Sequence, residues 1–259
     1  MINVLELGSI PYAEALDLQR VLVERRKAGA IADVLLLLEH PPVVTLGRNA
    51  KEKNVIASRE LLATRGVERF ECDRGGDVTY HGPGQLVGYP IFDLRGFTDE
   101  HGKRRTLWPV EFVRLLEQVL IASCRQLGVK SKRVEGLTGV WTDTPQPAKL
   151  AAIGVHISRA VTSHGFALNV NTDLDAFKLI VPCGITDKPV TSLARELGRE
   201  LHISDVAAIV AEEFGRAFHR QLKPIASIEK LLGPLPQDIP LQVPRELRRL
   251  RKETEIFLA

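Results

Sequence analysis

Two periodicities alternate along this chain, and the places where they change mark its elements. Residues 2–7 read as a first strand, and Pro11 opens a helix to about Lys27 with Ala15, Leu18, Val21 and Leu22 on one face. Residues 33–39 form an apolar run stopped by Pro41 and Pro42, and residues 43–46 resume as strand. Ser58 is placed to cap a short helix to about Arg65. Strand-like residues 67–72 and 86–91 then flank a stretch rich in glycine. The clearest helix starts near Pro109, a residue suited to a first turn, and ends at Gly128. Its inner face is Leu116, Val119, Leu120, Ser123, Cys124 and Leu127, which makes Cys124 a core residue. Strands are predicted at 140–142, 150–157 and 165–170, with a helical turn at 173–179. Ser204 caps a last helix to about Leu222, with Val206, Ile209, Val210, Phe214 and Phe218 facing inward. The pattern is α+β: a mixed β-sheet with three or four helices packed on it.

The pattern fades after Leu222. Pro224, Pro234, Pro236, Pro240 and Pro244 interrupt any long element, and residues 245–255 are rich in charge. The expected division is a main body, 1–222, and a C-terminal appendage of unknown role, 223–259. With 259 residues, 44% hydrophobic and 26% charged, the chain has the profile of a soluble globular protein. No apolar run approaches the roughly 18 residues of a membrane span, and the N-terminus does not resemble a secretory signal, so no membrane association is expected. Cys72, Cys124 and Cys183 are an odd set without C-x-x-C spacing, which argues against disulfides and structural zinc and fits a reducing cytoplasm. A net charge of +3 is too mild to indicate nucleic acid, although Arg25, Arg26, Lys103, Arg104 and Arg105 can meet an acidic partner.

The stretch 74–91 carries more polar variety than a connecting turn requires. Arg74, Asp77, Thr79, Tyr80, His81 and Gln85 sit among Gly75, Gly76, Gly82 and Gly84. It reads as a hairpin with a polar rim or as a binding wall built on a strand-turn-strand. Cys183 lies on a tight turn between Pro182 and Gly184, where a thiol is either a small apolar filler or a nucleophile needing a nearby cation or base. Lys149 opens an otherwise small and apolar strand, where a lysine either snorkels to solvent or, partly desolvated, exchanges protons. His81, His156 and His164 are further candidate bases. Cys183 pairs with Lys149 or with His81 or His164, and spacing does not decide between them.

Four segments together resemble one family. RGGDVTYHGPGQ from Arg74, GVWT followed by KLAAIGV from Gly139, SHGFALNVNTDL from Ser163 and FKLIVPCGI from Phe177 are similar, in that order, to octanoyltransferases, also called lipoyl(octanoyl) transferases or lipoate-protein ligase B. The resemblance covers about residues 2–222, which makes that body the catalytic domain. It implies the biotin/lipoate protein ligase-like fold. It implies transfer of octanoyl from octanoyl-acyl carrier protein to a lysine of lipoyl domains, those of 2-oxoacid dehydrogenase subunits and of the glycine cleavage H protein. No cofactor, no metal and no nucleic acid are expected, and the expected state is a monomer in the cytoplasm. Cys183 matches the nucleophile that forms a thioester acyl-enzyme, and Lys149 matches its partner. The substrate contacts fall on Arg74, Gly75, Gly76, Asp77, Val78, Thr79, Tyr80 and His81, on Ala152, Ile153 and Gly154, and on Gly165, Phe166 and Ala167. Backbone amides near Gly76 or Gly184 are candidates to hold the oxyanion. An ATP-dependent lipoate or biotin ligase and a non-catalytic lipoyl-domain or carrier-protein binding module are the alternatives. The first lacks a use for Cys183, and the second lacks a use for Cys183 and Lys149 together.

Overall fold

A computed structural model describes residues 1–98, 103–184, 188–232 and 255–258, with backbone alone at Thr98, Cys183 and 255–258. In chain order the elements begin β1 (Ile2–Ser9), α1 (Tyr12–Lys27), β2 (Asp33–Glu39), β3 (Val43–Leu46), α2 (Arg59–Thr64), β4 (Glu68–Glu71), β5 (Val78–His81) and β6 (Gln85–Ile91). They continue with β7 (Phe97–Thr98), β8 (Arg104–Arg105), α3 (Pro109–Gln126), β9 (Ser131–Val134), β10 (Leu137–Thr142), β11 (Lys149–Ser158) and β12 (Val161–Asn169). The last are α4 (Leu193–Leu197), α5 (Ile203–Ala217), β13 (Leu222–Pro224), α6 (Ile228–Leu232) and β14 (Glu255–Leu258).

The apolar run of β2 is explained by burial on both faces. Val34, Leu36 and Leu38 pack with Ala15 and Leu22 of α1, while Leu35 and Leu37 pack with Phe112, Leu116 and Leu120 of α3 and Val210 and Phe214 of α5. The large sheet runs β13-β1-β2-β6-β12-β11-β10-β9, with β14 also on β11. The pairs β13–β1 and β1–β2 are parallel and the others antiparallel, so the sheet is mixed and the fold α+β. A second sheet, β4-β3-β5, packs its own core, including Val44, Val78 and Tyr80, against Phe177 and Leu179 of the turn after β12.

The glycine-rich stretch is not a hairpin. β5 pairs with β3 in the small sheet and β6 with β2 and β12 in the large one, so the turn at 82–84 carries the chain from one sheet to the other. Gly84 anchors it: its N–H donates to the Glu39 carboxylate at 2.7 Å, and its carbonyl accepts from Asn171 N at 2.8 Å.

Two expectations change. The buried face of α1 is Tyr12, Ala15, Leu16, Gln19, Leu22 and Val23, with Leu18 and Val21 only half-buried. Tyr12 and Gln19 are polar residues turned inward, which hydrophobic periodicity does not register. The last predicted helix stops at Ala217, because Leu222 pairs in parallel with Ile2 at the start of β1. Beyond Leu222 the described parts are docked at both ends. Ile228, Leu231 and Leu232 pack against the α1 side of the core, and β14 runs antiparallel to Val155–Ser158 of β11.

Candidate active site

A cavity of about 350 Å³ lies between the loop before β5 and the β11–β12 hairpin. The loop is seated on β11 by its backbone: Gly75 N–H donates to the Val155 carbonyl at 3.1 Å. Gly154 must be glycine there, since a Cβ would stand 2.6 Å from the Gly75 carbonyl oxygen. Arg74, buried, holds the loop in shape. Its guanidinium donates to the Thr45 carbonyl (2.8 Å), the Thr45 hydroxyl (3.0 Å), the Gly75 carbonyl (3.0 Å) and the Asp77 carbonyl (2.7 Å). Asp77 clamps the loop to its neighbours. Oδ1 accepts from Lys51 N (3.0 Å) and Val78 N (2.9 Å), and Oδ2 accepts from the Asn54 amide, whose backbone carbonyl accepts from Val181 N at 2.7 Å. The RGGD loop is thereby tied to the segment that carries Cys183.

Strand alternation sorts the predicted residues. Arg74, Gly75, Gly76, Asp77, Thr79 and His81 line the cavity, whereas Val78 and Tyr80 turn into the core of the small sheet and Tyr80 packs edge-on against Phe177. Val78 and Tyr80 are therefore not brought to the cavity. Across from the loop, Lys149, Ala152, Ile153, Gly154, Gly165, Phe166 and Ala167 complete the walls.

Lys149 is 6% exposed, and its Nζ lies over the Trp141 ring, 4.9 Å from the centroid. Gly139, at φ +123°, makes room for this side chain, because a Cβ there would lie 3.3 Å from Lys149 Cε and 2.5 Å from the Ala151 carbonyl oxygen. On its other side Lys149 N–H donates to the Pro189 carbonyl (2.8 Å), and its carbonyl accepts from Thr191 N (2.9 Å). Cys183 sits in a one-turn 3-10 helix, Pro182–Gly184, and its side chain is outside the described residues. Pro182 and Lys149 line one small crevice that opens beside the cavity, with Thr79, Gln85 and Asn169. Gly184 N–H is engaged by the Val181 carbonyl at 3.1 Å, which leaves Gly76 as the candidate oxyanion donor.

The candidate histidines are all buried. His81 Nδ1 donates to Gln85 Oε1 at 2.7 Å, and burial holds its pKa well below the usual histidine range. From Gln85 the polar chain passes to Asn169 (2.9 Å) and on to the Thr191 carbonyl (2.9 Å). Asp73 accepts from His156 Nδ1 and His164 Nε2, each at 2.8 Å. Burial disfavours the Asp73 charge, but these two hydrogen bonds outweigh it and hold the carboxyl far below its ordinary value. Burial lowers the His164 pKa in spite of Asp73. The other thiols differ in setting: Cys124 is in the main core, where burial pushes it up to about 12, and half-buried Cys72 donates to the Leu46 carbonyl at 3.5 Å.

Sequence reading missed Tyr12, Asn49, Lys51, Tyr89, Gly136, Leu137 and Thr138 as lining residues. The sequence carries no signal for Tyr12, because hydrophobic periodicity does not register a polar residue turned inward. Among the basic residues proposed to meet an acidic partner, Arg26 is turned inward onto Asp33 (2.7 Å), and Arg105 pairs with Glu111 (2.8 Å). Lys103 and Arg104 are exposed. Among the described residues no group of His, Cys, Asp or Glu is arranged to hold a metal ion, and no helix is long and apolar enough to cross a membrane.

A family model described as the lipoyl protein ligase A/B catalytic domain matches residues 11–215. The chain is 59% identical over 253 residues to an octanoyltransferase of Koribacter versatilis, covering 98% of each chain. It is 57% identical over 240 residues to an octanoyltransferase of Acidobacterium capsulatum, covering 91% of this chain and 97% of that one. Among solved structures, a bi-partite lipoate protein ligase of Thermoplasma acidophilum superimposes with a TM-score of 0.68 at 16% identity, over 90% of this chain and 89% of that one, a likeness of fold.

Proposed function

Because this chain belongs to the octanoyltransferase family, an acyltransferase class within the lipoyl protein ligase A/B catalytic domains, we propose that it moves octanoyl from octanoyl-acyl carrier protein to lipoyl-domain lysines in protein lipoylation. The donor thioester is already activated, so no nucleotide is needed. The Cys183 thiolate attacks the thioester carbonyl, the C–S bond to the carrier's pantetheine breaks, and the departing thiolate takes a proton from Lys149. The acyl-enzyme is a thioester of similar energy. The acceptor lysine attacks it as a free amine, the C–S bond to Cys183 breaks, and the amide forms. Lys149 moves a proton between the amine and the thiol. The Gly76 N–H is the candidate donor to the oxyanion in both steps. The acceptors are the lipoyl domains of 2-oxoacid dehydrogenases and the glycine cleavage H protein, and the enzyme works in the cytoplasm as a monomer.

The observation that carries this reading is the crevice shared by Lys149 and Pro182, which sets the strand lysine beside the turn bearing Cys183 and opens next to the cavity. Neutral, deeply buried His81 and His164 are poor partners for a thiolate, which favours Lys149 over a Cys–His pair. The test is octanoyl transfer from the carrier to an apo lipoyl domain in nucleotide-free buffer. Transfer is expected, and a strict requirement for ATP would return the chain to the ligase alternative, for which the lipoate ligase likeness supplies only a fold.

A further inference from the structure

Two interruptions of the sheet ladder meet beside Lys149. From Leu137 to Trp141 β10 advances four residues, while its partner β9 advances only two, from Val134 to Lys132. From Val140 to Trp141 β10 advances one residue, while β11 advances two, from Ala151 to Lys149. Bulges of this kind re-aim side chains and bend the strand that carries them. Here they set Trp141 opposite Lys149, with the ammonium on the ring face. Gly139, at the centre of the β10 bulge, is paired with neither neighbouring strand, and its N–H is buried.

The acceptor for that N–H comes from a carboxylate outside the cavity. Glu117, on the inner face of α3, is fully buried, and it lines neither the cavity nor the crevice. Its Oε1 accepts from Gly139 N at 3.1 Å. Its Oε2 accepts from the guanidinium of Arg114, on α3, at 2.7 Å and from that of Arg133, on β9, at 2.8 Å. A buried carboxylate is costly to keep unless donors converge on it, as these three do. They are not equivalent. The two guanidinia are 51% and 41% exposed and can turn to water, whereas the buried Gly139 N–H has no other acceptor within reach of the ladder.

Gly139 in turn packs against the lysine, since a Cβ there would lie 3.3 Å from Lys149 Cε. We propose that Glu117 is a positioning residue for Lys149: the carboxylate fixes the Gly139 bulge, and the bulge fixes where the lysine side chain stands beside Trp141 and the Cys183 turn. The proposal rests on the reading above of Lys149 as the partner of Cys183. Without an acceptor at residue 117 the bulge relaxes toward an ordinary ladder, and the ammonium moves away from the thiol.

The experiment compares Glu117→Gln, Glu117→Asp and Glu117→Met in the full chain. Glutamine keeps an oxygen for the Gly139 N–H, aspartate keeps the charge on a shorter stem, and methionine keeps the length but offers no strong acceptor. Two quantities are read: octanoyl turnover with its KM for the carrier, and the rate at which iodoacetamide alkylates Cys183 and Cys72, each followed on its own peptide. The thiolate is the reactive form, so a Cys183 that loses its neighbouring cation reacts more slowly. Glu117→Met should lower kcat about tenfold with KM little changed, the scale of a small misplacement in a site. It should also slow alkylation of Cys183 severalfold and leave Cys72 unaffected. Glu117→Gln should retain most of both activities. Glu117→Asp should fall between them, and it decides the matter if the methionine variant does not fold. A merely structural role moves alkylation in the other direction, because a loosened fold exposes both thiols. Cys183 alkylation that is unchanged or faster in the folded variants, or equal losses in Glu117→Gln and Glu117→Met, overturns the positioning. Failure of the unaltered chain to transfer octanoyl would instead overturn the octanoyl reading, and the alkylation rates would still decide whether Glu117 places Lys149.

Discussion

The Lys149 ammonium lies on the face of Trp141, 4.9 Å from the ring centroid, and the backbone of the same lysine is hydrogen-bonded to Pro189 and Thr191, just beyond the Cys183 turn. One residue thus joins the GVWT strand, the KLAAIG strand and the segment that follows the PCG turn. The aromatic face attracts the lysine ammonium, a contribution of roughly 0.5–2 kcal/mol. In Trp141→Phe this contact weakens, and kcat should fall severalfold while thermal stability changes little. An unchanged kcat would show that the ring only fills space.

Gly139→Ala tests the same placement from the other side. The added methyl would press on Lys149 Cε and the Ala151 carbonyl, at a φ that disfavours any Cβ. Turnover should fall at least tenfold while circular dichroism stays near that of the unaltered protein. Full activity would mean that Lys149 does not need its observed position.

Asp77→Ala should uncouple the RGGD loop from Asn54 and Lys51 and so from the Cys183 turn. Leaving those donors unsatisfied costs roughly 1–3 kcal/mol. The activity loss should exceed the stability loss, because the loop carries Gly76 and Thr79 into the cavity. Parallel losses in thermal stability and rate would assign Asp77 a purely structural role.

His40 sets an acid limit on stability. Burial lowers its pKa to about 4, against a hydrogen bond to the Ile10 carbonyl that acts in the other direction. The unfolded chain takes up a proton near pH 6.5 that the folded chain refuses until about pH 4. Stability is therefore full above about pH 6.5 and falls as pH drops toward 4, by roughly 3 kcal/mol for this one group. Denaturant titrations of His40→Gln should show a flatter acid dependence than the unaltered chain. Equal slopes would contradict this assignment.

Much of the fold could be read from the sequence because its elements carry one clear period. The α3 helix, with Leu116, Leu120 and Cys124 inward, and the doubly buried β2 are examples. What could not be read is long-range. Period alone does not reveal that β5 and β6 enter different sheets, or that β14 returns to β11 after residues outside the described set. The cavity's walls are legible through motif, but a motif names residues without their direction, and Val78 and Tyr80 within it point into the small core. Tyr12 was hidden because a tyrosine on a helix face reads as ordinary packing until it is found lining the cavity.

In the proposed mechanism Cys183 carries the acyl group. Peptide mapping by mass spectrometry, after mixing the protein with octanoyl-acyl carrier protein without nucleotide or acceptor, tests it most directly. One octanoyl group is expected on the peptide containing Cys183, with its release by added apo lipoyl domain and no adduct in Cys183→Ala. Octanoyl found on Cys72 or Cys124, or undiminished transfer by Cys183→Ala, would contradict it.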